Sequence, residues 1–83
     1  MEKLDRGKLK TILSEVEKEL DRAAAKFDPY HSYHEGFAVI KEELDELWDE
    51  IKSKDHTNET LRMEAIQVAV TAIRFVHDLL PAK

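Results

Sequence analysis

The chain has 83 residues, a formal charge of −5, 37% charged and 42% hydrophobic side chains, and no cysteine. That composition excludes a disulfide framework and a thiolate metal site. It also excludes a generic nucleic-acid binder, which would carry a basic face or stripe, but it leaves room for a small phosphorylated ligand held through a divalent cation. No apolar run reaches a membrane span, and the N-terminal MEKLDRGKLK is too polar for a signal peptide, so a soluble cytoplasmic protein without a membrane partner is expected. Residues 1–83 read as a single domain. A chain of this size buries only about 60–65% of its unfolded surface, and oligomerisation is the natural way for it to gain more.

Two glycines and two prolines leave few breaks, and the periodicity is helical throughout. The spacing predicts a first helix from about Lys3 to Lys26, with Leu9, Ile12, Leu13, Val16, Leu20, Ala23, Ala24 and Phe27 on one stripe. Gly7 is expected to delay its start, and Asp28-Pro29 to end it, because the residue before proline is pushed out of the helical region. The connector to His34 holds Pro29, Tyr30, His31 and Tyr33. Ser32-x-x-Glu35 then has the form of a capping box that opens a second helix running to about Ser53. Gly36 in its first turn lets another backbone approach closely. After a polar loop from Lys54 to Asn58, Thr57 or Asn58 is the next N-cap, and a third helix is expected from about Glu59 to Leu80, stopped by Pro81. The fold class is all-α: an antiparallel bundle of about three helices.

Within the second helix, Lys41 to Lys52 reads KEELDELWDEIK and carries the carboxylates Glu42, Glu43, Asp45, Glu46, Asp49 and Glu50. With Glu43 at zero and about 100° per residue, Ile40, Leu44, Leu47, Trp48 and Ile51 fall in an apolar arc of roughly 40° to 140°, which Phe37 extends. Glu43, Glu46 and Glu50 form a stripe at roughly 300° to 360°, along the edge of that face. Glu42, Asp45 and Asp49 form a solvated set. A charged helix face is the plain account of such a run; a half-built site for a hard cation is the sharper one.

The third helix places Glu64, Gln67, Thr71, Arg74 and Asp78 in one polar stripe, between roughly 280° and 360° from Glu64. Nearly everything else in it is apolar, an arc well beyond the ~100° of a surface helix, which implies a symmetric oligomer with this helix in the shared core. Short loops make the second and third helices antiparallel neighbours. If their polar stripes face each other, Glu43, Glu46 and Glu50 meet Glu64 and Gln67. Converging carboxylates repel. Mg²⁺ relieves this by taking oxygen ligands and bridging one or two carboxylates to substrate phosphates, while a carboxylate outside the ligand set orients or deprotonates a water.

Glu43-Leu44-Asp45-Glu46, 17 intervening residues, then Glu64-Ala65-Ile66-Gln67 resembles the signature of the all-α nucleoside triphosphate pyrophosphatases. These are the MazG-like proteins, with relatives among the dimeric dUTPases and the phosphoribosyl-ATP pyrophosphatases. Their pattern is E-x-x-E, a gap, then E-x-x-D on two adjacent helices. The resemblance covers roughly His31 to Leu80. It implies Mg²⁺-dependent (alternatively Mn²⁺-dependent) cleavage of a ribo- or deoxyribonucleoside triphosphate to monophosphate and pyrophosphate, and a homodimer or homotetramer with the site near the subunit contact. Carried over, Glu43, Glu46 and Glu64 match the acidic metal positions, with Glu43 and Glu46 also as the catalytic carboxylates. Gln67 stands where the family has aspartate, and a neutral amide is a poorer Mg²⁺ ligand. Asp78 is about 16 Å further along the axis and cannot replace it; Glu50, about one turn past Glu46, is the candidate compensating acid. Gln67 and Arg74 are the candidate substrate contacts. The alternatives are a degenerate nucleotide-binding or regulatory module and a purely structural helical oligomer.

The remaining polar residues have plainer readings. His31-x-x-His34-Glu35 is not H-E-x-x-H, and capping accounts for it better than zinc. Tyr30, Tyr33 and Trp48 have the chemistry to stack on a base, though the apolar arc places Trp48 in the core. Arg74 reaches either a phosphate or Asp78 at i+4. His77, on the apolar side, reads as a packed interface histidine.

Overall fold

A computed structural model describes residues 3–82. They form three α-helices and no strand: α1 (Arg6–Lys26), α2 (Tyr33–Lys52) and α3 (Asn58–Leu79). Each start is set by a side-chain cap. Asp5 accepts from the Lys8 N–H at 2.9 Å, so α1 begins at Arg6 rather than at Lys3. Ser32 accepts from the Glu35 N–H at 3.0 Å, while Glu35 reaches one residue further back than a capping box requires, to the His31 N–H. Thr57 and Thr60 form a reciprocal box at the head of α3. Phe27, after the last turn of α1, bonds back to the Ala23 carbonyl, and Pro29 prevents any continuation.

α3 is the middle element. α2 packs antiparallel along it, α1 packs on another side, and the backbones of the two outer helices do not meet. Glu15 with Arg62, Glu19 with Gln67 and the Asp28 carbonyl with Arg74 rise together in number, so α1 runs parallel to α3. Val16, Ala23 and Val70 are the buried centre, with Ile12, Leu20 and Ile66 against them. The radius of gyration is 14.2 Å, against about 12 Å for a compact chain of this length. The open shape follows from two outer helices sharing one partner but not each other.

Two placements differ from the sequence reading. The apolar arc of α2 is only partly covered within the chain: Ile40 and Leu47 are half-buried, but Phe37, Leu44, Trp48 and Ile51 are exposed, Trp48 by 57%, with the Lys52 ammonium 5.6 Å from its ring centre. Trp48 is therefore not a core residue of the single chain, because α3 covers α2 only along its other edge. Gly36 is approached by a side chain instead of a backbone. A Cβ there would sit 2.6 Å from Phe75 Cδ2 and 3.0 Å from Leu79 Cδ1. The Phe75 ring in turn stacks on Tyr33 at 5.9 Å.

Gly36→Ala should cost about 1–2 kcal/mol, because overpacking outweighs the gain in helix propensity. Gly7→Ala, whose Cβ meets only Asp5 Oδ1 at 3.5 Å, should be neutral or stabilising. Urea denaturation of the two variants side by side checks this, and equal midpoints would refute it.

Candidate functional site

The polar stripe of α3 faces inward beside Val70 and Ile66, and its members are shared among α2, α1 and the connector. At one end, Glu64 stands opposite Glu43 and Glu46 of α2, and one carboxylate oxygen from each of the three lies within 4.8 Å of the others. Antiparallel packing makes this possible: Glu43 and Glu46, at i and i+3, share a face of α2 that meets α3 at the level of Glu64. Glu43 and Glu64 are half-buried, and Glu46 is exposed. Burial, then the neighbouring Glu46 and Glu64, push the Glu43 carboxyl up from its ordinary 4.5 to about 7. Burial followed by Glu46 and Glu50 also raises Glu64.

Glu50 lies outside this triad. Its Oε2 accepts from the Thr60 hydroxyl at 2.8 Å, tying the end of α2 to the head of α3. Gln67 turns toward α1 and donates its amide N–H to Glu19. Glu19 also takes a bidentate pair of bonds from Arg22, 2.9 Å from Nε and 2.6 Å from Nη2. Arg22 first, then Gln67, hold the Glu19 carboxyl down to about 2. Arg74 donates to the Asp28 carbonyl at 3.0 Å and lies 4.4 Å from the Tyr30 ring centre; no ion pair joins it to Asp78 among the described residues.

Because α1 and α2 diverge across α3, a cleft of about 450 Å³ lies between them, lined by Arg22, Tyr30, Glu42, Glu43, Gln67 and Arg74 among others. The connector closes one end. There Tyr30 is buried, its N–H donating to Asp78 Oδ2 at 3.1 Å and its hydroxyl to the Thr71 carbonyl at 3.3 Å. Burial pushes the Tyr30 hydroxyl up. Burial also acts to raise Asp78, but the bonds from His77 and Tyr30 outweigh it and hold that carboxyl low. Tyr30 is buried under Arg74 and offers no free face to a base, whereas Tyr33 stacks one face on Phe75, stays exposed and lies outside the cleft lining. Trp48 lies outside the cleft lining. His31 meets Glu35 at 3.3 Å, the bond of a helix start. His77 is exposed against Asp78.

Of the residues grouped from the sequence, Glu43, Glu46 and Glu64 come together while Glu50 and Gln67 turn elsewhere; the sequence does not single out Arg22 and Glu42 as cleft residues, nor Glu19, which holds Arg22. Glu42 lines the cleft as well as facing solvent. Glu19-x-x-Arg22 was visible as an i, i+3 pair, although nothing in the sequence shows which side of α1 meets α3. The chain matches no family model, no curated protein and no solved structure.

Raised carboxyls in the folded state bind protons more tightly there than in the unfolded chain. Their ionisation therefore destabilises, with no effect below about 4.5 and the full effect above about 7 for Glu43. Glu19, held low, contributes stability that is lost as pH falls from 4.5 toward about 2. The metal-free protein should accordingly be most stable near pH 5. Glu43→Gln should raise the thermal midpoint at pH 8 in chelator by a few degrees and leave it unchanged at pH 4.5. An unaltered midpoint at pH 8 would refute the assignment of strain to this triad.

Proposed function

We propose that the chain is a Mg²⁺-dependent nucleoside triphosphate pyrophosphohydrolase of the MazG-like kind, acting on a ribo- or deoxyribonucleoside triphosphate. The observation that carries this reading is the convergence of Glu43, Glu46 and Glu64 from two helices, with Glu43 also lining a cleft that presents two guanidinium groups. Three carboxylate oxygens are a donor set of the kind this ion takes. Oxygens around an octahedral Mg²⁺ lie roughly 3 to 4.2 Å apart, and those of the triad lie within 4.8 Å of one another. Glu43, Glu46 and Glu64 would hold the metal, which when bound would polarise a phosphate oxygen and acidify a water.

The side chains account for the remaining steps. The second carboxylate oxygen of Glu43 or Glu46, the one not given to the metal, takes the proton of the attacking water. That water attacks the α-phosphorus, and the bond to the bridging α,β-oxygen breaks, giving a monophosphate and pyrophosphate. Arg74 offers donors beyond the one spent on the Asp28 carbonyl and meets the anionic part of the substrate. Glu50, engaged with Thr60, supports the triad from outside it.

The same proposal includes self-association. Few hydrophobic residues are buried within the chain, while Phe37, Leu44, Trp48 and Ile51 form an uncovered row along α2. A second copy packed there supplies the burial that one chain lacks.

A second reading has its own support: Gln67, at the position where the resemblance calls for aspartate, is committed to Glu19. A nucleotide-binding module without turnover would follow from that arrangement.

Pyrophosphate, rather than orthophosphate, should be released from at least one triphosphate in a full nucleotide panel with Mg²⁺ or Mn²⁺. Glu46→Gln or Glu64→Gln should lower kcat at least about a hundredfold. Full activity in Glu64→Gln would exclude the mechanism, and a metal-dependent thermal shift with nucleotide but no product would select the binding module. Sedimentation equilibrium should give a dimer or tetramer that Trp48→Glu converts to monomer; an unchanged mass would remove the α2 face from the interface.

A further inference from the structure

The cleft has a second charged feature besides its acids. Arg22, from α1, and Arg74, from α3, line it, about four residue levels apart on parallel helices, or about 6 Å along the axis. Arg22 is 60% exposed, yet it is not an ordinary surface ion pair. Such pairs gain little because both side chains must be ordered. Here the carboxylate partner is already fixed: Glu19 is only 22% exposed and is bound by the Gln67 amide of α3. Glu19 engages Nε and Nη2 of Arg22. Nη1 has no partner among the described residues, so part of a five-donor guanidinium stays unspent.

We infer that Arg22 binds the phosphate chain of the substrate, and that Glu19 and Gln67 position it at the cleft. The inference rests on reading the cleft as a nucleotide site. It also gives the unexpected amide a role. A carboxylate at position 67 would face Glu19 and repel it, whereas the glutamine N–H bridges α3 to α1 and fixes the guanidinium. Arg22 is thus a substrate-binding residue and Gln67 a positioning residue acting through Glu19. Arg62 serves as an internal control. It forms a similar bidentate pair with Glu15 but does not line this cleft.

Calorimetric titration of the full chain with inorganic tripolyphosphate in Mg²⁺ tests the assignment. Arg22→Gln should weaken binding on the order of tenfold, the worth of one charge-assisted hydrogen bond, with a cooperative circular-dichroism melt retained at a somewhat lower midpoint. Gln67→Ala should lose part of that affinity, and should lose nothing more when added to Arg22→Gln. Arg62→Gln should stay within about twofold of the parent. Unchanged affinity in Arg22→Gln, an equal loss in Arg62→Gln, or additive losses from Gln67→Ala and Arg22→Gln would each overturn it. Pyrophosphate release is scored separately. Arg22-dependent binding without turnover removes only the hydrolase reading, while turnover with Arg22-independent binding removes only this inference.

Discussion

A polar stripe on the helix that every other element touches must find a partner for each of its groups. α3 meets that demand with Glu64 against α2, Gln67 against Glu19 of α1, the Thr71 carbonyl against the Tyr30 hydroxyl, and Arg74 and Asp78 against the connector. Those contacts place α1 and α2 on α3 and hold the connector over its C-terminal half. No buried side-chain nitrogen or oxygen is left without a partner among the described residues. Only Glu64 meets groups of its own sign, so the stripe is satisfied everywhere except at the triad.

This arrangement departs from the usual amphipathic helix, although Val70 and Ile66 still reach the core. The polar stripe of α3 points at the rest of the chain, while Met63, Ile73 and Val76 on its other sides are exposed. The same is true of much of the apolar arc of α2. Burying polar groups yields less than burying hydrocarbon, since a hydrogen bond made inside replaces one made to water. The chain therefore has a small centre and a large uncovered apolar surface, the condition under which proteins associate. The proposed self-association and the proposed site thus share one origin: the polar stripe of α3 takes up much of its inward side, and much of its hydrophobic surface stays uncovered in the single chain.

The amide at position 67, where the resemblance to the pyrophosphatase signature calls for aspartate, becomes intelligible in the same terms. In a linear motif it reads as a missing ligand. In three dimensions the position lies between the triad and α1, where Glu19 already supplies a negative charge held ionised by Arg22. A second carboxylate there would leave two like charges partly out of water. The amide is the residue type that satisfies Glu19 while keeping the helices together.

The sequence by itself determined the all-α class, the three helices to within a few residues, and the grouping of Glu43, Glu46 and Glu64. Helical periodicity, cap residues and Pro29 are local, and local rules were sufficient for them. Antiparallel packing of α2 on α3 follows from a short loop, so the triad was legible too. What only the tertiary structure decided was the third side of the cleft. Which face of α1 meets α3 depends on long-range contacts, and so Glu19, Arg22 and the orientation of Gln67 had no local signature. Trp48 shows the same limit from the other direction. Its apolar arc marks it for burial, but a single chain has only one neighbour for α2, and burial is a property of neighbours rather than of a pattern.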